Sequence, residues 1–413
     1  MGQNHRPSRR AGAKGESIVM LILTILAAVG AALVLGHWLR MAYGMVRAQR
    51  VPHLPDLTPA EPAAWPRVSI VVAACNEADR IEPAARTLLA LDYPDLELIL
   101  VNDRSTDGTG AIIDRLAADP RVRPLHITDL PAGWLGKVHA LDRGLKASTG
   151  EYVLFTDADV HFQPSVLRKT VAYMLEHQLD HLAGLPQLYP TSLLLDSAIG
   201  AFIRQFLLIT RVWNVGRPGS DAYIGIGAFN LVRRAAMEAS DGFEWLRLEA
   251  ADDMGLGLLM KRSGARGGVV TGGGLMGIQW YRSWTEVAQG AEKGYATALQ
   301  FSLGRAVLGA VMLPFVELGP LVMLPALATE SFRFVGWMGL AAVAAWLVTG
   351  LAMKRWARSP RLAPFLLGPL TTPILAVLLL RAGILGHRRG GVLWRGTLYP
   401  TEVLRPGSRV RFP

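Results

Sequence analysis

From Ser17 to Gly36 the chain runs for 20 residues without a charge. At about 1.5 Å of rise per residue a helix of that length spans the roughly 30 Å of a bilayer's hydrocarbon. Inside lipid each amide must bond within its own segment, which makes a helix the natural form. A second uncharged run of equal length extends from Phe334 to Met353. A chain of 413 residues that is 51% hydrophobic thus has room for one water-soluble domain and a separate apolar part.

The first run is longer than the apolar core of a secretion signal, and no small-residue cleavage pattern follows it, so it reads as a retained anchor. Two further runs are interrupted. Ala306 to Pro325 contains Glu317, Pro314 and Pro320, and Leu362 to Leu380 contains Pro364, Pro369 and Pro373. The expectation is two crossings plus a proline-broken, re-entrant segment over 362–380.

The net charge of +10 sits beside these runs. Arg6, Arg9, Arg10 and Lys14 precede the first, Lys354, Arg355, Arg358 and Arg361 lie between two others, and Arg381, Arg388, Arg389 and Arg395 follow the last. Basic clusters at the ends of apolar spans indicate a cytoplasmic membrane face, and no nucleic-acid module accompanies them. With Cys75 alone, no internal disulfide can form, consistent with a reducing cytosol.

After a linker with five prolines, 51–66, come short apolar runs at Val68–Ala74, Leu96–Val101 and Tyr152–Phe155. They read as strands buried on both faces. Helical patterns at Arg80–Leu91, Gly110–Ala118 and Lys137–Ser148 alternate with them, which implies a mainly parallel α/β sheet. Ligands of such sheets bind at the carboxyl ends of the strands. Those ends carry Glu77, Asp103 and the pair Asp157 and Asp159.

Each motif also has a purely structural reading. Asp157 and Asp159 suit a Mg²⁺ or Mn²⁺ ion shared with phosphates, or cap the helix expected near Pro164. Asp103 lies in VNDRSTDGT, a turn in which Ser105 or Thr106 could cap the next helix; with Glu77 it could also hold a nucleoside. Lys137 opens a helix after a glycine, a place for a diphosphate or for a solvated lysine. Asp252 and Asp253 precede an apolar helix as caps or as a general base. The segment Gly225–Asn230 has the look of a tight backbone feature, and Trp280, Tyr281, Trp284 and Tyr295 suit either a membrane interface or a core.

In order, CNE, VNDRSTDGT, GWLGK, TDADV and EAADDMGLGL resemble the membrane-associated family 2 glycosyltransferases. The tail segment Gly391–Tyr399 resembles the carotenoid, hopanoid-associated and ceramide-type members. The resemblance implies a glycosyltransferase A-type fold flanked by transmembrane helices. Residues 1–50 would form a basic segment and anchor, 51–300 a cytosolic catalytic domain, and 301–413 a membrane region and basic tail, in an inner-membrane enzyme.

It also implies a nucleotide-diphosphate-sugar donor, a divalent cation and inversion at the anomeric carbon. Glu77 and Asp103 would contact the nucleoside, and Lys137 and Asp157 the donor. Asp159, with Asp157, would hold the metal; Asp253 would be the base, supported by Asp252. The processive members' Gln-x-x-Arg-Trp motif has only loose counterparts, in Gln279, Arg282 and Trp284 or in Gln289 and Lys293. A single transfer to a lipid or isoprenoid acceptor is therefore expected. A processive polysaccharide synthase, a nucleotidyltransferase of similar fold, or a transporter or binding scaffold using Glu317 are the alternatives.

Overall fold

The computed structural model describes residues 8–411. Arg6 of the leading basic cluster lies outside the described residues, as do the side chains of Arg9, Arg10 and Lys14. Twelve strands are present among the described residues: β1 Val68–Ala74, β2 Leu96–Asp103, β3 Val122–Ile127, β4 Tyr152–Asp157, β5 His161–Phe162, β6 His181–Leu185, β7 Gln187–Leu188, β8 Asn230–Arg233, β9 Gly267–Thr271, β10 Met276–Ile278, β11 Gly391–Trp394 and β12 Thr397–Pro400.

Seven strands form one sheet in the order β3-β2-β1-β4-β8-β6-β9. Only β8 runs antiparallel to its neighbours. The register pairs Ala74 of β1 with Asn102 of β2, and Ala73 with Asp157 of β4. Three carboxyl ends therefore lie level along one edge. Helices α2 Ile81–Leu89, α3 Thr109–Leu116, α4 Gly136–Ala147 and α5 Val166–Glu176 follow successive strands. Their apolar stripes bury Ala85, Leu88, Ile113 and Val171 against Ile70, Leu98 and Leu154 on one face of the sheet, and Val138 against Val71, Ile99 and Val153 on the other. Strands sandwiched in this way must be apolar on both faces, as VSIVVAA is.

The linker forms only a 3₁₀ turn at Leu54–Asp56, yet it is not loose. Lys169 Nζ donates to the carbonyls of Pro55 at 3.2 Å and Leu57 at 2.7 Å, and His53 meets the Thr271 hydroxyl at 2.6 Å.

Among the described residues, five helices are long and apolar enough to cross a membrane, by length and composition. They are α1 Ser8–Ala48, α6 Leu193–Thr210, α11 Leu303–Met323, α12 Arg333–Trp356 and α13 Ala363–Arg389. Two expectations need correction. The prolines at 369 and 373 do not break α13, which continues for 27 residues; Pro314 and Pro320 likewise sit inside α11. Helix α6 was not apparent in the sequence, because Asp196 and Arg204 interrupt its apolar pattern.

The buried Arg204 explains itself through its partners. Its guanidinium meets Glu317 of α11 at 2.5 Å and lies 5.0 Å from the Trp38 ring. Glu317 also accepts from Gln205 at 2.8 Å and contacts His37 at 3.1 Å. Buried charges persist only when paired and hydrogen-bonded. Glu317 is thus occupied on both oxygens, which removes the reason to read it as a transport residue.

The remaining helices are the short α7 Arg234–Glu238 and α8 Gly242–Leu246, then α9 Asp252–Arg262 and α10 Trp284–Ala291.

Candidate active site

Asp103 and Asp157 are the last residues of β2 and β4, two residues beyond Val101 and Phe155, where the apolar pattern stops. The helix-capping alternative fails for the DAD triplet. Helix α5 begins only at Val166, and no side chain caps it. Asp157 and Asp159 instead face different cations: Lys137 Nζ is 2.7 Å from Asp157, and Arg80 Nη1 is 3.1 Å from Asp159. Burial, with Asp157 and Glu77 nearby, pushes the Asp159 carboxyl up to about 6 despite Arg80.

Lys137, the second residue of α4, joins the two halves of the cleft. Its ammonium also lies 2.9 Å from Asp252, in the first turn of α9. Contact attraction on the order of 5 kcal/mol per pair in a partly buried site outweighs the burial that would neutralise a lysine. Its pKa therefore lies well above the usual value.

The paired acids diverge electrically. Burial opposes the charge on Asp252, but Lys137 and Lys293, the latter at 3.8 Å, hold its carboxyl below the ordinary range. Burial and the neighbouring Asp252 push Asp253 upward. Carboxylates driven apart in this way are suited to separate roles. Neither is the helix cap: that position is Ala251, with no side-chain bond.

The Gly225–Asn230 segment proves to be part of the site. The Gly227 amide donates to Asp253 Oδ2 at 3.2 Å, and its carbonyl accepts from the Asp157 amide at 3.0 Å. A Cβ on Gly225 would stand 1.8 Å from the Asp253 carbonyl oxygen, and one on Gly257 2.2 Å from that of Ile224. The glycines of GIG and MGLGL let this loop lie directly against α9.

At the other end, Ser105 and Thr106 do not cap α3 as expected. The Ser105 hydroxyl accepts from the Asn76 amide at 3.0 Å, the Thr106 amide donates to Asn76 Oδ1 at 2.8 Å, and Asp107 takes the Thr109 amide at 3.0 Å. This stitching joins the ends of β1 and β2 and places Glu77 near Asp103. Arg104, in the left-handed region at φ 55°, chelates Asp103 at 2.7 and 3.1 Å. Arg395 pairs with Glu77. The sequence offers no local sign of Arg80, Arg104 or Arg395 as site residues, because their partners are set by folding.

Of the loose motif counterparts, only Lys293 reaches the acid pair. Gln279 lies 3.4 Å from the Thr191 hydroxyl, the Arg282 amide donates to Glu286 at 2.9 Å, and Trp284 and Gln289 lie within α10. The expected aromatic group divides: Trp280 stacks on Tyr281 at 4.9 Å, whereas Tyr295 is buried against Phe301.

Among the described residues no three His, Cys, Asp or Glu side chains gather closely enough to hold a metal ion. Yet Glu77, Asp103, Asp157, Asp159, Asp252, Asp253 and Glu286 face only Arg80, Arg104, Lys137, Lys293 and Arg395, a formal excess of two negative charges. Hard oxygens in such surroundings fit a small divalent cation that completes its shell with a ligand's phosphates.

The fold matches the mannosyltransferase PcManGT from Pyrobaculum calidifontis, solved in complex with GDP-Man and Mn²⁺, with a TM-score of 0.53 at 20% identity over 89% of this chain and 99% of that one. The uncharacterized glycosyltransferase YibD of Escherichia coli is 31% identical over 115 residues, 28% of this chain and 32% of that protein. A poly-beta-1,6-N-acetyl-D-glucosamine synthase of Staphylococcus epidermidis is 34% identical over 92 residues, 22% of this chain and 21% of the other. The chain thus matches about a third or less of the length of these last two proteins. The central sheet and its neighbours are of glycosyltransferase A type, and residues 69–239 match the description Glycosyl transferase family 2.

Proposed function

We propose that the protein transfers one sugar from a nucleotide-diphosphate sugar to a hydroxyl of a lipid or isoprenoid acceptor at the membrane, with inversion. The observation that carries this reading is the Lys137 bridge between Asp157 and Asp252, which joins the proposed donor residues to the neighbour of the proposed base.

Glu77 and Asp103 receive the nucleoside, and Lys137 and the amino end of α4 receive the diphosphate. Asp159 and Asp157 would hold Mg²⁺ or Mn²⁺, which when bound offsets charge on the departing diphosphate. Asp253 takes the proton from the acceptor hydroxyl as its oxygen bonds to the anomeric carbon and the bond to the diphosphate breaks. Its raised pKa favours holding that proton, and the Gly227 amide keeps the carboxylate aimed. Asp252, fixed by two lysines, remains ionised beside it.

The membrane helices favour an amphiphilic acceptor, which reaches the cleft from the bilayer surface on the cytosolic side. Exposed Leu193, Leu194 and Phe202 of α6, with Trp280 5.5 Å from Phe202, offer an apolar approach. Incubating membranes that contain the protein with labelled nucleotide sugars, then extracting into organic solvent, tests the reading. Label in the lipid phase with release of nucleoside diphosphate is the expected outcome. Label in insoluble polymer would instead favour a processive synthase, and pyrophosphate release a nucleotidyltransferase.

A further inference from the structure

Helix α13 ends at Gly390, in the left-handed region at φ 63°, and the chain turns at once into the β11–β12 hairpin. Trp394 pairs with Thr397, leaving Arg395 and Gly396 as the two-residue turn, at φ 48° and 79°. Such turns favour Asn-Gly or Asp-Gly, because two consecutive positive φ angles strain a residue that bears a long side chain. Arginine in the first position is not explained by the turn. Its contacts explain it.

Arg395 Nη1 donates to the Cys75 carbonyl at 3.0 Å and Nη2 to Glu77 Oε1, so both branches of the guanidinium hold the end of β1. Among the described residues Glu77 Oε2 accepts no hydrogen bond and remains available. On one side the Trp394 ring lies 4.2 Å from Lys293 Nζ, the cation that also faces Asp252. On the other, the Tyr399 hydroxyl accepts from the Gly136 amide at 3.4 Å, where α4 begins beside Asp103. One hairpin therefore touches the nucleoside end, the diphosphate end and the lysine that steadies the acid pair, although it lies well outside the stretch that matches the family.

We propose that Arg395 is a positioning residue for the nucleoside diphosphate: it fixes the Glu77 carboxylate so that Oε2 meets the nucleoside, while Trp394 holds Lys293 over the acids. This rests on the reading above, in which Glu77 contacts the nucleoside. The arrangement supplies orientation and positive charge together, and it does not occlude Glu77, because one carboxylate oxygen stays open.

The test uses the full chain in detergent or nanodiscs, with UDP and GDP as probes. Binding of neither by the wild-type protein would defeat the functional reading itself and, with it, this assignment. If one binds, Arg395→Ala should weaken it by about tenfold, the effect of losing one charge-assisted hydrogen bond. Donor KM should rise much more than kcat falls, and Arg395→Lys should recover part of the loss. Because Arg395 acts through Glu77, adding Arg395→Ala to Glu77→Gln should change affinity by less than about twofold, the signature of coupled residues. Unchanged affinity, tighter binding, or a tenfold loss that persists in the Glu77→Gln background would each overturn the assignment. If Arg395→Ala does not fold, Arg395→Lys and Arg395→Gln carry the same comparison.

Discussion

Two clusters of buried charge can be set side by side. Between α1, α6 and α11, Arg204, Glu317, His37 and Gln205 form a set closed at its carboxylate: both Glu317 oxygens are taken, although Arg204 Nε has no partner among the described residues. In the cleft, Lys137 is shared by carboxylates from β4 and α9, Asp253 is bonded only by the Gly227 and Met254 amides, and Glu77 keeps one oxygen open. Both clusters cost desolvation, yet only in the second does a carboxylate oxygen stay open. Closure marks charges that hold helices together, and incompleteness marks charges waiting for a ligand.

The sharpest way to break this contrast is Asp253→Asn. It should lower kcat by about a thousandfold, within the usual span for a general base, with an unaltered thermal midpoint. Near-normal turnover would remove the base from Asp253. Arg204→Ala should do the reverse, lowering unfolding stability by about 3–5 kcal/mol because the buried Glu317 loses its arginine and keeps only Gln205 and His37 on one oxygen. The specific activity of the protein that remains folded should hardly change. Replacing both residues with apolar ones of similar size should restore most of the stability.

Gly225→Ala probes how finely the open cluster is set. Its methyl group must push the first turn of α9 away, and a displacement of about 1 Å should cost roughly a hundredfold in kcat. Retained activity would show that the loop is not what aims Asp253.

The smallest expected effect concerns pH. As the proposed base, Asp253 would act only when ionised, so activity should fall as pH drops through its raised pKa. Lys137 and Lys293 favour the ionised form and Asp252 opposes it. Removing a cation makes protonation easier, so Lys293→Met should move the acidic limb of kcat to higher pH by up to about one unit. A limb that stays in place, or moves down, would put Lys293 outside the cleft's electrostatics.

The open cluster was more legible in the sequence than the closed one. Apolar runs that end abruptly in Asp103 and Asp157 disclose both the strands and the edge at which their carboxylates gather, since a buried parallel strand must be apolar until it emerges. Pairings across long separations left no such trace. Arg204 looked like an interruption of an apolar pattern because Glu317 is 113 residues away, and Arg395 looked like part of a basic tail. Prolines in α13 suggested a break that its neighbours suppress: α6 and α11 pack along it and bury Pro369. Local pattern reports burial and turns, whereas complementarity between distant side chains appears only once the chain has folded.

The direct passage from α13 into the Arg395 hairpin has a consequence for biogenesis. During synthesis the sheet and its acidic edge are made first, and Glu77 can acquire Arg395 only after the whole of α13 has been made. A polypeptide stalled before that step would present the strand ends without their roof. Completion of the cleft is in this way tied to folding of the final segment of the chain.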